Sequence, residues 1–314
     1  MSPNRTSQAI IVTGGFSDNK SSATSVEASI DGGISWCSLP SLPFVRYGHT
    51  QSGFVTCGGT WVNDVDGSCL TFSDGVWRKT HSLVNKRLYH SVWSSSEGLL
   101  LMGGVGAGNS TEIIKDGYYS AESFPLKYEI VLACQIQFDE MVIVTGGQDS
   151  ENAVFAYDNQ GLLEEYDLPD LLEGRYNHGC GHYVNNDNII VYLVTGGYHH
   201  DYLSSTEILV SGAKSWIEKG KLPMQVNSLM GISIDNKILM TGGRGVDGLM
   251  QFMYHSMVLS YDVTSEQWIH IGNMTQERSH HGISMVPTEE VISYCVGDFP
   301  KYINKFQVIG SIGG

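Results

Sequence analysis

The stretch YLVTGGYHHDY, residues 192–202, decides the fold because its centre recurs. Related segments are IIVTGGF (10–16), FVTCGGT (54–60), LLLMGGV (99–105), VIVTGGQ (142–148) and ILMTGGR (238–244). The second glycines, Gly15, Gly59, Gly104, Gly147, Gly197 and Gly243, lie 44, 45, 43, 50 and 46 residues apart. Six copies at that spacing are an internal repeat. After each doublet come a short loop and a strand-like segment such as SVEASID (25–31) or STEILVSG (205–212). An aromatic follows at a nearly constant offset: Trp36, Trp77, Tyr119, Tyr166, Trp216 and Trp268. A Leu-Pro turn and a fourth strand lead into the next doublet. No segment holds a 3.6-residue apolar period over eleven residues, so helices are expected to be scarce.

Four strands per unit of roughly 45 residues define a β-propeller blade. The apolar-apolar-Gly-Gly motif and the following Trp resemble the kelch-repeat family over about residues 9–290. The resemblance implies an all-β, kelch-type β-propeller of six four-stranded blades, with seven and a partial last blade as the alternative. Residues 1–314 read as one domain. The chain begins on a second strand, so HGISMVP (281–287) is expected to supply the missing first strand and close the ring. VISYCVGD (291–298) and KFQVIG (305–310) are expected to be extra strands or a partial blade within 288–314.

Composition agrees with many short strands joined by glycine turns: 37 glycines, 8 prolines and 16% charged residues. The formal net charge of −15 argues against nucleic-acid or anionic-membrane partners, which require basic patches. Nothing approaches eighteen consecutive apolar residues, so no membrane insertion is expected. The six cysteines lack zinc spacing, and their fifteen pairings stay open. An even cysteine count with sequons at Asn4, Asn19, Asn109 and Asn273 points to a secreted, disulfide-bonded, monomeric glycoprotein. The polar start MSPNRTSQ is no signal peptide. A cytoplasmic protein is therefore the alternative.

Strand alternation puts the loops after the glycine doublets, including YHHDY (198–202) and RGVDG (244–248), on one axial face with the starts of the first strands. Those starts carry R-x-x-H four times: Arg46 and His49, Arg87 and His90, Arg175 and His178, Arg278 and His281. Together with Tyr198, His199, His200 and Arg244 they form the candidate ligand site. In the kelch domains this arrangement resembles, such arginines bind acidic peptide segments. An acidic peptide or protein segment, or a small anionic ligand, is thus the expected partner, since the guanidinium fork pairs with carboxylates. Structural consensus is the competing reading of the same motif.

Some kelch-type propellers are enzymes, and galactose oxidase holds copper through two Tyr and two His. Here Tyr198, His199, His200, Tyr202, His280 and His281 share the expected face, which makes a secreted copper oxidase, or another enzyme acting on a small molecule or carbohydrate, the alternative. His178 and His182, four strand residues or roughly 13 Å apart, are too distant to share one ion. The first reading is a recognition domain with no cofactor.

Overall fold

The computed structural model of the protein describes residues 7–18, 24–61, 64–115, 119–246, 249 and 251–295. They form six four-stranded antiparallel sheets arranged as a ring, a six-bladed β-propeller. The expected closure is observed. Gly282–Pro287 pairs antiparallel with Gln8–Thr13, from Gln8↔Pro287 to Thr13↔Gly282. Blade 1 therefore joins one C-terminal strand to three N-terminal ones.

The first strands of blades 2 to 6 are Thr50–Ser52, Ser91–Ser95, Cys134–Phe138, Gly179–Val184 and Met230–Ile234. Each touches the next around the axis, and Met230–Ile234 and Thr50–Ser52 both touch Gly282–Pro287. Three hairpins, Thr60–Trp61/Asp64–Val65, Tyr198–His199/Asp201–Tyr202 and Arg244–Val246/Phe252–Tyr254, rise from the loops after glycine doublets.

The apolar core lies between blades, not at the centre. Each of six buried clusters spans one blade–blade interface. Ile11 and Ala28 of blade 1 pack with Leu70 and Trp77 of blade 2, and Val12 packs with Leu239 and Val258 of blade 6. This explains the repeated tryptophans: the indole N–H groups of Trp77, Trp216 and Trp268 reach back to the preceding blade, while that of Trp36 donates to Gly33 O within its own. Trp77 donates to the Pro40 carbonyl at 3.0 Å and Trp216 to the Pro169 carbonyl at 2.8 Å. Those prolines belong to the repeated Leu-Pro turns. Tyr166 departs from the expectation and is exposed, whereas Tyr157 is the buried aromatic of its blade.

The doublets are glycine for a steric reason. A Cβ on Gly146 (φ +59°) would lie 2.2 Å from the Arg175 carbonyl oxygen of the next blade. The second glycine donates its N–H across the same interface, as in Gly147 to Arg175 O at 3.1 Å and Gly59 to Arg87 O at 2.7 Å. Blades are thereby laced at backbone distance.

One expectation is corrected. VISYCVGD begins not as a strand but in the helix α1, Thr288–Cys295. Val291, Tyr294 and Cys295 sit three and four residues apart, so one helical face meets the core beside Leu39 and Phe72. Glu289 and Glu290 occupy its first turn, where the helix dipole favours negative charge. Residues 296–314, including Gly297-Asp298 and KFQVIG, lie outside the described residues, so no partial seventh blade enters the description.

All six cysteines are paired: Cys37–Cys295, Cys57–Cys69 and Cys134–Cys180. The first ties α1 to the outer strand of blade 1. The second links directly paired residues within blade 2, and the third joins the first strands of blades 4 and 5. Three disulfides indicate an oxidising, extracellular-type environment. Among the described residues no helix is long and apolar enough to cross a membrane.

Candidate ligand-binding face and axial channel

The repeated R-x-x-H segments enter the ring at the starts of the first strands, and the structure puts their arginines inside the walls. Arg46, Arg87, Arg175 and Arg278 are each 0–1% exposed. In every case Nη1 donates to two carbonyl oxygens of the same blade. Arg87 reaches Gly103 O at 2.9 Å and Ser110 O at 3.0 Å, and Arg175 reaches Gly196 O at 2.8 Å and Ser205 O at 3.3 Å. Nη2 meets a carboxylate: Asp66 for Arg46 (2.6 Å), Glu112 for Arg87 (3.3 Å), Glu207 for Arg175 (2.5 Å) and Glu27 for Arg278. The expectation that these four guanidinium groups face a ligand is corrected here: their terminal nitrogens are engaged inside the blade.

The glutamates serve a second purpose. Glu207 accepts from the backbone N–H groups of Leu172 (2.8 Å) and Glu173 (3.1 Å), Glu112 from Val84 and Asn85, and Glu27 from Thr275 and Gln276. One ion pair thus fixes the loop entering each of blades 1, 3 and 5. A sequence signal for this exists. Blades 1, 3 and 5 carry S-x-E at Ser25–Glu27, Ser110–Glu112 and Ser205–Glu207, whereas blades 4 and 6 lack both the arginine and the glutamate. Glu207→Ala should cost about 3 kcal/mol, because it leaves the buried Arg175 charge only the exposed Glu173 carboxylate at 3.7 Å. The double variant Glu207→Leu/Arg175→Met should recover much of that loss in denaturant unfolding.

The histidines of the motif are equally architectural. Their Nε2 atoms lie 2.8–2.9 Å from threonine hydroxyls of the preceding blade: His49 with Thr13, His90 with Thr50, His178 with Thr145 and His281 with Thr241. Three of those threonines are the T of the V-T-G-G or M-T-G-G motif. In blade 2 Cys57 replaces it, and Thr50 takes over. Burial, reinforced by nearby arginines, holds all four imidazoles well below their ordinary pKa; His90 falls to about 3. They are neutral side chains at physiological pH.

The third residue of each R-x-x-H, or its equivalent, builds an unanticipated feature. Gly48, Tyr89, Leu132, Asn177, Ser228 and His280 all have φ between +50° and +62°. The N–H of each donates to the carbonyl of its counterpart in the neighbouring blade. Tyr89 bonds to Gly48, Leu132 to Tyr89, Asn177 to Leu132, Ser228 to Asn177, His280 to Ser228 and Gly48 to His280, at 2.7–3.1 Å. These six bonds form a closed collar around the axis. The left-handed turn costs a non-glycine residue roughly 1–2 kcal/mol, which the collar bond offsets.

Outside the collar, isolated bridges bring the loops after the doublets to the strand starts: Phe16↔Ser279, Tyr47↔Thr60, Leu88↔Val105, Tyr176↔Tyr198 and Asn227↔Arg244. The expected sharing of one face is thus observed. Aromatic rings form an arc there, with centroids 5.2 Å apart for Phe16–Tyr47, 5.7 Å for Phe16–Tyr254, 5.6 Å for Tyr198–Tyr202 and 5.4 Å for Tyr176–Tyr198.

Arg244 stands within this arc. Its guanidinium lies 4.6 Å from the Phe252 ring centroid and hydrogen-bonds the Tyr254 side chain. Among the described residues no carboxylate lies within ion-pair distance of it. Its charge is felt at the collar. His280 is pushed down to about 3 by burial and then by Arg244. Tyr89 is raised to about 12 by burial and by Tyr47, with Arg244 opposing. Arg244 is therefore the member of the sequence-derived set that presents positive charge on the loop face.

His199 pairs through Nδ1 with Glu151 Oε2 at 2.5 Å. The neighbouring His200, at φ +58°, lies tilted against His199 with centroids 4.2 Å apart, and the Tyr198 hydroxyl donates to the His200 carbonyl. The two adjacent histidines share this ring contact across a tight hairpin. Among the described residues no group of three His, Cys, Asp or Glu side chains is placed to hold a metal ion.

Inside the collar runs the axial channel, a cavity of about 750 Å³ lined by the first strands of all six blades. Fold and channel together define the chain as a six-bladed β-propeller with one ligand-accessible axial cavity and one aromatic loop face. No protein-family model matches the chain, and no curated protein does. Among solved structures the chain is similar to one titled "Structure of YjhT". The TM-score is 0.64 and the identity 15%, over 82% of this chain and 96% of that one. At that identity the likeness shows the fold alone, and the kelch family stays a resemblance of the repeat.

Proposed function

We propose that the protein is a ligand-recognition propeller that binds a carboxylate-bearing ligand, an acidic peptide segment or a small organic anion, on the loop face at Arg244. The observation that carries this reading is the charge of Arg244. It is partnered by aromatic groups and by no carboxylate of the described residues, on a face ringed by Tyr47, Tyr198, Tyr202 and Tyr254. A guanidinium held this way offers its fork to an incoming carboxylate. The wall arginines neutralise carboxylates of their own blades and contribute no free donor pair.

Titration with succinate and with an Asp/Glu-rich peptide tests the reading. Arg244→Ala should weaken binding by roughly 10- to 100-fold, the worth of a charge-assisted hydrogen bond. Its unfolding midpoint should stay near wild type, because no carboxylate of the described residues loses a partner. Rising salt should weaken binding in parallel. Equal affinity in wild type and Arg244→Ala would remove the reading.

A second reading, an enzyme acting on a small molecule or carbohydrate, is favoured by the His199–Glu151 pair. A carboxylate on Nδ1 orients an imidazole as a general base. Under either reading the disulfides suit a secreted protein, with Asn109 and Asn273, both exposed, as glycan acceptors.

A further inference from the structure

The axial channel is chemically unlike the rest of the molecule. The chain has 51 charged residues, 18 basic and 33 acidic, yet among the described residues none of the side chains lining this cavity is Asp, Glu, Lys or Arg. Six histidines line it: His49, His90, His178 and His281 in the wall and His280 in the collar are neutral, and burial lowers the pKa of His182 as well. The polar lining is instead amide and hydroxyl: Gln51, Gln135, Gln137, Asn177, Ser94 and Ser233. Between them lie apolar side chains, notably Val92, Ile232, Ile283 and Met285. At the collar end, among the described residues, the Tyr89 hydroxyl and the Asn177 amide have no protein hydrogen-bond partner. Away from the collar, Ser94, Gln137 and Met285 are solvent-exposed, so the channel is open at that side.

Each class of occupant meets this lining differently. A charged ligand would surrender hydration and find no counter-charge. Gln51, Gln137 and Ser233 are already hydrogen-bonded to Thr13 and Gly53, to Val92 and to His182, but a purely apolar occupant would leave Ser94, Gln135, Asn177 and the Tyr89 hydroxyl unpaired. A polyhydroxylated neutral molecule satisfies both demands. Its hydroxyls donate and accept, as amides and serine hydroxyls do, and its C–H faces contact Val92, Ile232 and Ile283. The volume falls in the range of small-molecule sites, roughly 300–1,000 Å³.

We infer that the axial channel is a second site, separate from Arg244, that takes an uncharged sugar or polyol. It is independent of the anion reading, and the two use different side chains. Saturation-transfer NMR with glucose, N-acetylglucosamine and maltose, against glucuronate as the anionic match of glucose, tests it on the intact disulfide-bonded protein. At least one neutral sugar should bind, and Ser94→Trp, at an exposed position of the channel wall, should weaken that binding at least tenfold. Arg244→Ala should leave neutral-sugar binding unchanged while weakening that of succinate by roughly 10- to 100-fold, which separates the two sites. A second variant, Gln137→Arg, should lower neutral-sugar binding and admit glucuronate. If no neutral sugar gives a signal sensitive to Ser94→Trp, or if glucuronate enters the wild-type channel as tightly as glucose, the assignment falls.

Discussion

Lowering the pH from 7 to 5 should strip the propeller of most of its stability. His49, His90, His178 and His281 are buried, and each is held neutral with a pKa well below its ordinary value, chiefly by burial. In the unfolded chain the same groups titrate near 6.5. Above that value neither state binds the proton and stability does not change with pH. Below it the unfolded state takes up protons that the folded state refuses, so stability falls. At pH 5 each histidine costs about 2 kcal/mol, and four cost on the order of 8 kcal/mol. Typical domain stability is roughly 5–15 kcal/mol, so the loss is decisive. Urea unfolding at pH 7, 6 and 5 measures it, in a range above most carboxylate titrations. His178→Gln should lower stability at pH 7 but flatten the slope by about 1.4 kcal/mol per pH unit. An unchanged midpoint between pH 7 and pH 5 would contradict the buried neutral state of these groups.

Breaking Cys37–Cys295 should destabilise the protein on the order of 5 kcal/mol by the loop-entropy relation, because the bond spans 258 residues. Cys57–Cys69, with a separation of 12, should be worth about 3 kcal/mol by the same relation. The larger effect has a structural basis. Blade 1 is assembled from both ends of the described chain, and α1 packs beside its outer strand. Without the covalent tie, opening of that one seam exposes the interfaces of blade 1 with blades 2 and 6. Paired Cys→Ser variants of each bridge, compared by their denaturant midpoints, check the order. A Cys57/Cys69 variant that is less stable than the Cys37/Cys295 variant would show that ring closure does not depend on the terminal bond.

The repeat alone favoured six blades over seven and determined the composite first blade and the face shared by the post-doublet loops. Each of these follows from spacing and strand alternation, which are local properties of the chain. The same local reading misjudged VISYC, where i, i+3 and i+4 contacts with the core prevailed over alternation. It also placed the R-x-x-H arginines towards solvent. Their burial depends on partners 20 to 251 residues away, Asp66 for Arg46 and Glu27 for Arg278. Only the closed ring brings those together, and only then does desolvation require each charge to be paired. Half of that signal was legible in the co-occurrence of S-x-E with R-x-x-H in blades 1, 3 and 5. The collar was not legible, since Gly, Tyr, Leu, Asn, Ser and His share no side-chain chemistry. Their common left-handed backbone arises from six neighbouring N–H groups meeting six carbonyls around one axis, a constraint that exists only when all six blades are in place.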